Sequence, residues 1–220
     1  MPARLRPTAP IATDAVLVGD PGRALMLAQV LLEEPKMSNH ARGLWGYSGR
    51  TPKGDELTVQ ATGMGGPSAV LVLADLAELG VRRAIRVGTC TALDPPLHPG
   101  QLLTIAEAHA WGGPGGGAGK PVFPDPELTR LLREELGDAA RAATVASLDT
   151  LHGDAAAALG GGEAADMQTA ALLGRGPALG VAVAAVLIVT AAVAGEQLDD
   201  ESVELASKQA GQAASAALST

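Results

Sequence analysis

Three arginines stand in glycine-rich turns: Arg23 in Gly19-Asp20-Pro21-Gly22-Arg23, Arg42 before Gly43, and Arg86 in Arg86-Val87-Gly88-Thr89. Each turn supplies backbone N–H groups at the end of an apolar run, and a guanidinium presents a planar fork that matches phosphate oxygens two at a time. The pattern points to a phosphate site. The chain as a whole has a net charge of -8 at pH 7, so these cations are local. Nucleic acid needs a broad positive face, so the expected partner is a small phosphorylated or phosphate-using molecule.

Other reactive residues carry less. The turn Gly63-Met64-Gly65-Gly66 has the start of a dinucleotide fingerprint but lacks the third glycine or alanine at the required step, and no acid follows the next strand. Cys90 lies within the arginine turn with no histidine base beside it, which fits an inert buried thiol. His152 is open between a base or ribose contact and a half-exposed loop residue. His40 and His98 read as solvated or structural, His109 has no evident partner, and Asp149 reads as a structural hydrogen-bond acceptor. No His, Cys or carboxylate cluster has ligand spacing, so no metal and no organic cofactor are expected.

Strands and helices must place these turns. Ala15 to Val18 reads as a strand leading through Gly19 into a helix with apolar Ala24, Leu27, Ala28 and Leu31, stopped by Pro35. Gly43 to Gly49 and Leu57 to Ala61 read as a hairpin, followed by a helix from about Ser68 to Leu79. Strands are expected at Ala84 to Val87, Leu102 to Ala106, Ala142 to Ala146 and Ala185 to Thr190. Further helices are expected at Pro126 to Leu136, at about Ala164 to Leu173, and from the acidic turn near Asp199 to about Leu218. The glycine-rich stretch from Trp111 to Lys120 reads as a mobile loop, and Gly160 to Gly162 as a flexible break. Alternating strands and helices imply an α/β fold with a mixed, mainly parallel sheet flanked by helices, and ligands in such folds gather at the carboxyl ends of strands.

The 220 residues suit one domain over residues 1–220, rich in small side chains and holding two Trp, one Tyr and one Phe. A single cysteine excludes a disulfide framework within the chain and suggests a cytoplasmic setting. Met1 to Pro10 lacks the apolar region of a secretory signal. Pro177 to Ala194 is uncharged, but Gly180 and the β-branched run that follows fit a link and a buried strand better than a membrane span.

Four ordered motifs carry a resemblance: Gly-Asp-Pro-Gly-Arg at 19–23, Asn-His-Ala-Arg-Gly-Leu-Trp-Gly-Tyr at 39–47, Thr-Gly-Met-Gly-Gly-Pro-Ser-Ala at 62–69, and Arg-Val-Gly-Thr-Cys at 86–90. In order and spacing the chain resembles the purine nucleoside phosphorylase and uridine phosphorylase family of the bacterial hexameric type, strongly from about residue 14 to 108 and more weakly beyond. The resemblance implies attack of inorganic phosphate on ribose C1′, giving ribose 1-phosphate and a free base, with phosphate as the co-substrate and no other cofactor. It implies phosphate contacts from Gly19, Arg23, Arg86 and Thr89, with Arg42 reaching a neighbouring subunit's site, and hence a homo-oligomer, dimer-based and hexameric. Met64, His152, Met167 and Gln168 would meet the nucleoside. Catalysis would rest on positioning and charge stabilisation.

The second half departs from the family. Where the family has Glu-Met-Glu, this chain has Asp166-Met167-Gln168, and a glutamine lacks the charge-assisted grip of a carboxylate. Ala191-Ala192-Val193-Ala194 stands where purine enzymes place an Asp or Asn to assist the leaving base, and no side chain there can act as an acid. The Gln-x-Arg pair of the uridine enzymes is replaced by Gly153-Asp154-Ala155-Ala156-Ala157-Ala158. Purine nucleosides remain the first expectation, because the segments around Arg42 and Met64 are closer to purine members. The alternatives are a uridine phosphorylase, or a catalytically impaired member that binds phosphate or another ligand as a regulatory subunit.

Overall fold

Four consecutive buried residues, Ala15 to Val18, make β1 (Asp14–Val18) a central strand. In the computed structural model, which describes residues 4–111, 118–149, 162–192, 195 and 197–219, β1 runs into α1 (Pro21–Leu31) through a turn capped by Asp20. The Asp20 carboxylate accepts from the Arg23 backbone N–H at 2.8 Å, filling one of the open donors at the helix start. The helix ends at Leu31, before Pro35, and Pro35 lies inside an unanticipated edge strand, β2 (Glu33–Asn39). Proline is tolerated there because an edge strand need not use every N–H in a ladder.

The hairpin forms as β3 (Gly46–Arg50) and β4 (Glu56–Ala61), paired antiparallel. Then follow α2 (Gly65–Glu78), β5 (Arg83–Ala92), β6 (Leu102–Trp111), β7 (Ala118–Val122), α3 (Pro126–Leu136) and β8 (Ala140–Leu148). The chain closes with β9 (Ala164–Asp166), α4 (Thr169–Arg175), β10 (Ala182–Ala192) and α5 (Asp200–Leu218).

Three expectations need correction. The strand expected at Ala84 to Val87 runs on to Ala92, so Gly88 to Thr91 are not a turn but strand residues paired with β10. The helix expected from Ala164 begins only at Thr169, because Ala164 to Asp166 pair with both β5 and β8. Part of the stretch expected as a loop is strand, since Ala118, Pro121 and Val122 of β7 pair with β6. Residues 112–117, 160 and 161 lie outside the described residues.

All ten strands join one mixed sheet. Parallel pairings bind β1 to β4 and β5, β10 to β5, and β6 to β8, while β2, β3 and β7 add antiparallel edges. Because β10 pairs with both β5 and β6, the strands β5, β10, β6, β8 and β9 close on themselves. The uncharged run after Gly180 is therefore a sheet strand, and no helix among the described residues is long and apolar enough to cross a membrane.

Helices cover both sides. One core gathers Leu17, Leu73, Leu76, Leu103 and Leu172, and the other Val16, Leu27, Leu31, Leu132 and the alanines of α5. Small residues permit the close approach: a Cβ at Gly211 of α5 would stand 2.6 Å from the Leu27 side chain of α1. Burying several such leucines at ~1.5–3 kcal/mol each is what holds the strand ends in fixed relation.

Candidate functional site

Register brings the three motifs together. In the parallel ladder Val18 pairs with Ala61 and Leu17 with Arg86, so the carboxyl ends of β1 and β4 lie beside the middle of β5. Gly19 and the Thr62–Gly65 turn leave those ends next to Gly88 and Thr89, which are still within β5. They line a cavity of about 350 Å³ with Asp20, Arg23, Met64, Arg86, Met167 and Gln168. The floor depends on glycine twice. Gly63 has φ +74°, and a Cβ there would meet Ser68 Oγ at 2.7 Å. A Cβ on Gly88 would stand 2.6 Å from the Arg86 guanidinium, which lies across it.

The two arginines differ in surroundings. Arg86 is buried, and its guanidinium donates from Nε to Thr169 Oγ1 at 3.1 Å, from one terminal nitrogen to Gln168 Oε1 at 2.7 Å, and from the other to Asp166 Oδ2 at 3.0 Å. Asp166 is itself buried and accepts further bonds from Ser147 Oγ at 2.5 Å, Thr169 Oγ1 at 2.6 Å and the Thr169 backbone N–H at 3.0 Å. Arg23 is half-buried, and its guanidinium has no hydrogen-bonding or ion-pair partner among the described residues. Burial holds the Arg23 pKa below its ordinary value, Asp20 opposes that, and the positive charge of Arg86 adds to the lowering. A partly desolvated cation beside a second one, facing an open cavity, stabilises an anion placed between them.

A sequence model of the phosphorylase superfamily matches residues 13–220. The chain belongs to that superfamily. It is 48% identical over 84 residues to a DeoD-type purine nucleoside phosphorylase of Oceanobacillus iheyensis, covering 38% of this chain and 35% of that protein. It is 42% identical over 101 residues to the DeoD-type enzyme of Streptococcus pyogenes serotype M5, covering 46% of this chain and 42% of that protein. These alignments thus span less than half of each relative. The fold superimposes on uridine phosphorylase of Vibrio fischeri ES114 with a TM-score of 0.83 at 22% identity, covering 95% of this chain and 92% of the other.

Within this superfamily member, Gly19, Arg23, Met64, Arg86, Thr89, Met167 and Gln168 converge on the cavity. Met64 is 82% exposed at the start of α2, where a side chain can close over a bound ligand. Arg42 does not line the cavity. It stands exposed in a turn after β2 with φ 60° and ψ 18°, a left-handed conformation rare outside glycine. His152 lies outside the described residues, as do Leu151, Asp154, Val193 and Ala194, whereas Ala191 and Ala192 end β10. Asp149 is exposed and makes no hydrogen bond among the described residues; in its segment the structural bond comes from Ser147 instead. Cys90 is buried, and burial, reinforced by Asp166, pushes its thiol well above the usual range against the opposing pull of Arg86. Such a thiol is no nucleophile.

Sequence reasoning missed Asp166 as the partner of Arg86. The signal was an acid directly after two small residues, Ala164-Ala165-Asp166, which only the pairing of β9 with β8 turns into a buried counter-charge. Gln168, expected at the nucleoside, reaches the cavity wall, yet its amide is engaged on both sides by the protein.

Proposed function

We propose that this protein is a nucleoside phosphorylase, cleaving a purine nucleoside with inorganic phosphate to free base and ribose 1-phosphate. The observation that carries the reading is the half-buried Arg23 guanidinium, without a partner among the described residues, in the same cavity as Arg86, Gly19 and Thr89. Phosphate held there lies beneath the sugar, where its negative charge stabilises the oxocarbenium-like transition state and its oxygen attacks C1′. Met64 and Met167 meet the sugar side in this reading, and His152 the base. No cofactor beyond phosphate is needed. Arg42, exposed and not lining its own cavity, completes the site of a second copy in this reading, so the working unit is a dimer-based homo-oligomer, hexameric as in the family. A cytoplasmic setting suits the single cysteine.

The purine assignment rests on the partial likeness to DeoD-type enzymes, 48% over 84 residues and 42% over 101. Ala191 and Ala192 favour a second reading, in which the leaving base receives little help and turnover on ordinary nucleosides is slow. General-acid assistance contributes about 10²–10⁴ in rate. Base release from inosine, uridine and a cationic 7-methylpurine nucleoside, each with and without phosphate, separates these readings. Phosphate-dependent release from inosine supports the purine phosphorylase. Release from the 7-methyl compound alone supports the acid-deficient form. No phosphate-dependent release from any of them counts against turnover, and absence of phosphate binding removes the site itself.

A further inference from the structure

The side chain of Gln168 has its orientation dictated by the chemistry of its neighbours. Gly63 O and Gly65 O can only accept, and they stand 2.6 and 3.3 Å from Nε2. The Arg86 guanidinium can only donate, and it reaches Oε1 at 2.7 Å, where Thr62 Oγ1 also lies at 2.9 Å. Both amide hydrogens and both oxygen lone pairs therefore face the protein. The residue joins the positive-φ turn at Gly63 and Gly65 to the arginine beneath it.

A carboxylate at this position would put an oxygen where Nε2 now meets the Gly63 carbonyl, replacing a hydrogen bond by repulsion. It would also change the charge of the cavity wall. Arg23, Arg86 and Asp20 line the cavity and Asp166 pairs with Arg86, so a further carboxylate would add a negative charge beside the anion. Arg86 already donates from Nε and once from each terminal nitrogen. The remaining hydrogen on each terminal nitrogen is what an anion can take, and Gln168 fixes where it points.

We propose that Gln168 is a positioning residue that aims Arg86 at the anion site and anchors the Gly63–Gly65 turn, and that this site requires the neutral amide rather than a carboxylate. The inference rests on the phosphate reading of the cavity. Sulfate, a dianion throughout the neutral range, is the probe, titrated calorimetrically below the unfolding temperature of each variant so that stability loss alone does not move the result. Gln168→Met keeps length and volume but none of the four amide hydrogen bonds, and should weaken sulfate by about tenfold or more. In an Arg86→Lys background the same change should alter affinity by no more than about twofold, because the group through which Gln168 acts is gone. Gln168→Glu should weaken sulfate at least as much as Gln168→Met, and it carries the test if the methionine variant does not fold. Equal effects in the two backgrounds, or native-like affinity in Gln168→Glu, overturn the positioning role while the site stands. Failure of the native chain to bind sulfate or phosphate overturns the phosphate reading, and the role with it.

Discussion

Arg23 and Arg86 stand in motifs that look alike in the sequence, yet Arg23 begins a helix with an open guanidinium while Arg86 lies inside β5 with its guanidinium enclosed. Around Arg86 every element supplies a partner: Asp166 from β9, Thr169 from α4, and Gln168 between them. Around Arg23 the nearest carboxylate, Asp20, is turned toward the start of α1 and accepts from the backbone N–H of Arg23 itself. The difference separates two tasks that a shared residue type conceals. A buried guanidinium held by the protein at all three nitrogens builds the wall of a site, whereas a half-buried cation left without a partner among the described residues is poised for a ligand.

Removing the counter-charge of the closed arginine gives the largest expected effect. Asp166→Ala leaves Arg86 buried without its ion pair and orphans Ser147 and Thr169, which should cost about 3–5 kcal/mol of folding stability. That is a large part of the ~5–15 kcal/mol typical of a domain, and urea unfolding measures it directly. Asp166→Asn, which keeps an acceptor, should lose less. A stability within ~0.5 kcal/mol of the native chain in Asp166→Ala would show that the region is not the closed network described here.

Arg23→Ala should behave in the opposite way. Its backbone N–H still donates to Asp20, so the helix cap survives and stability should stay within about 0.5 kcal/mol of native. Phosphate affinity should fall by the worth of a charge-assisted hydrogen bond, about 1.5–3 kcal/mol. Isothermal titration with phosphate and thermal unfolding of the same sample check both halves. Unchanged affinity would erase the contrast between the two arginines. Arg86→Ala is the poorer test, because the buried Asp166 it strands would confound binding with folding.

Much of the rim was legible in the sequence because it is built locally. Gly19 to Arg23 is a strand-to-helix turn with its own cap, and Thr62 to Ser68 combines a positive-φ glycine turn with the start of α2. Neighbouring residues settle such structures, so their motifs announce them. The wall was not legible. Asp166 reads as a helix-forming residue beside Met167, and only long-range pairing of β9 with β5 and β8 makes it strand and buries it. Gln168 read as a weakened ribose contact, since nothing within a few residues reveals that Gly63, Gly65, Thr62 and Arg86 converge on its amide. Edge strand β2 was hidden by Pro35, a residue that argues against a strand everywhere except at an edge.

The third arginine offers a small stability effect of the opposite sign. Arg42 holds φ 60° and is followed by Gly43 at φ 70°, so two successive residues are left-handed although only one is glycine. A side chain there is strained, and Arg42→Gly should raise stability by about 0.5–1 kcal/mol, the penalty of a Cβ at positive φ less the greater freedom of glycine in the unfolded chain. Arg42→Ala keeps the strain and should not be stabilised. If the guanidinium reaches a neighbour's phosphate, both variants should nevertheless lose phosphorolysis, so that Arg42→Gly becomes a more stable and less active protein. Thermal unfolding and phosphate-dependent base release, measured on the same oligomer, test this pair of signs. Activity retained in Arg42→Gly would make the left-handed turn a purely local feature of the β2–β3 connection and remove Arg42 from the site, leaving Arg23 and Arg86 as its only arginines among the described residues.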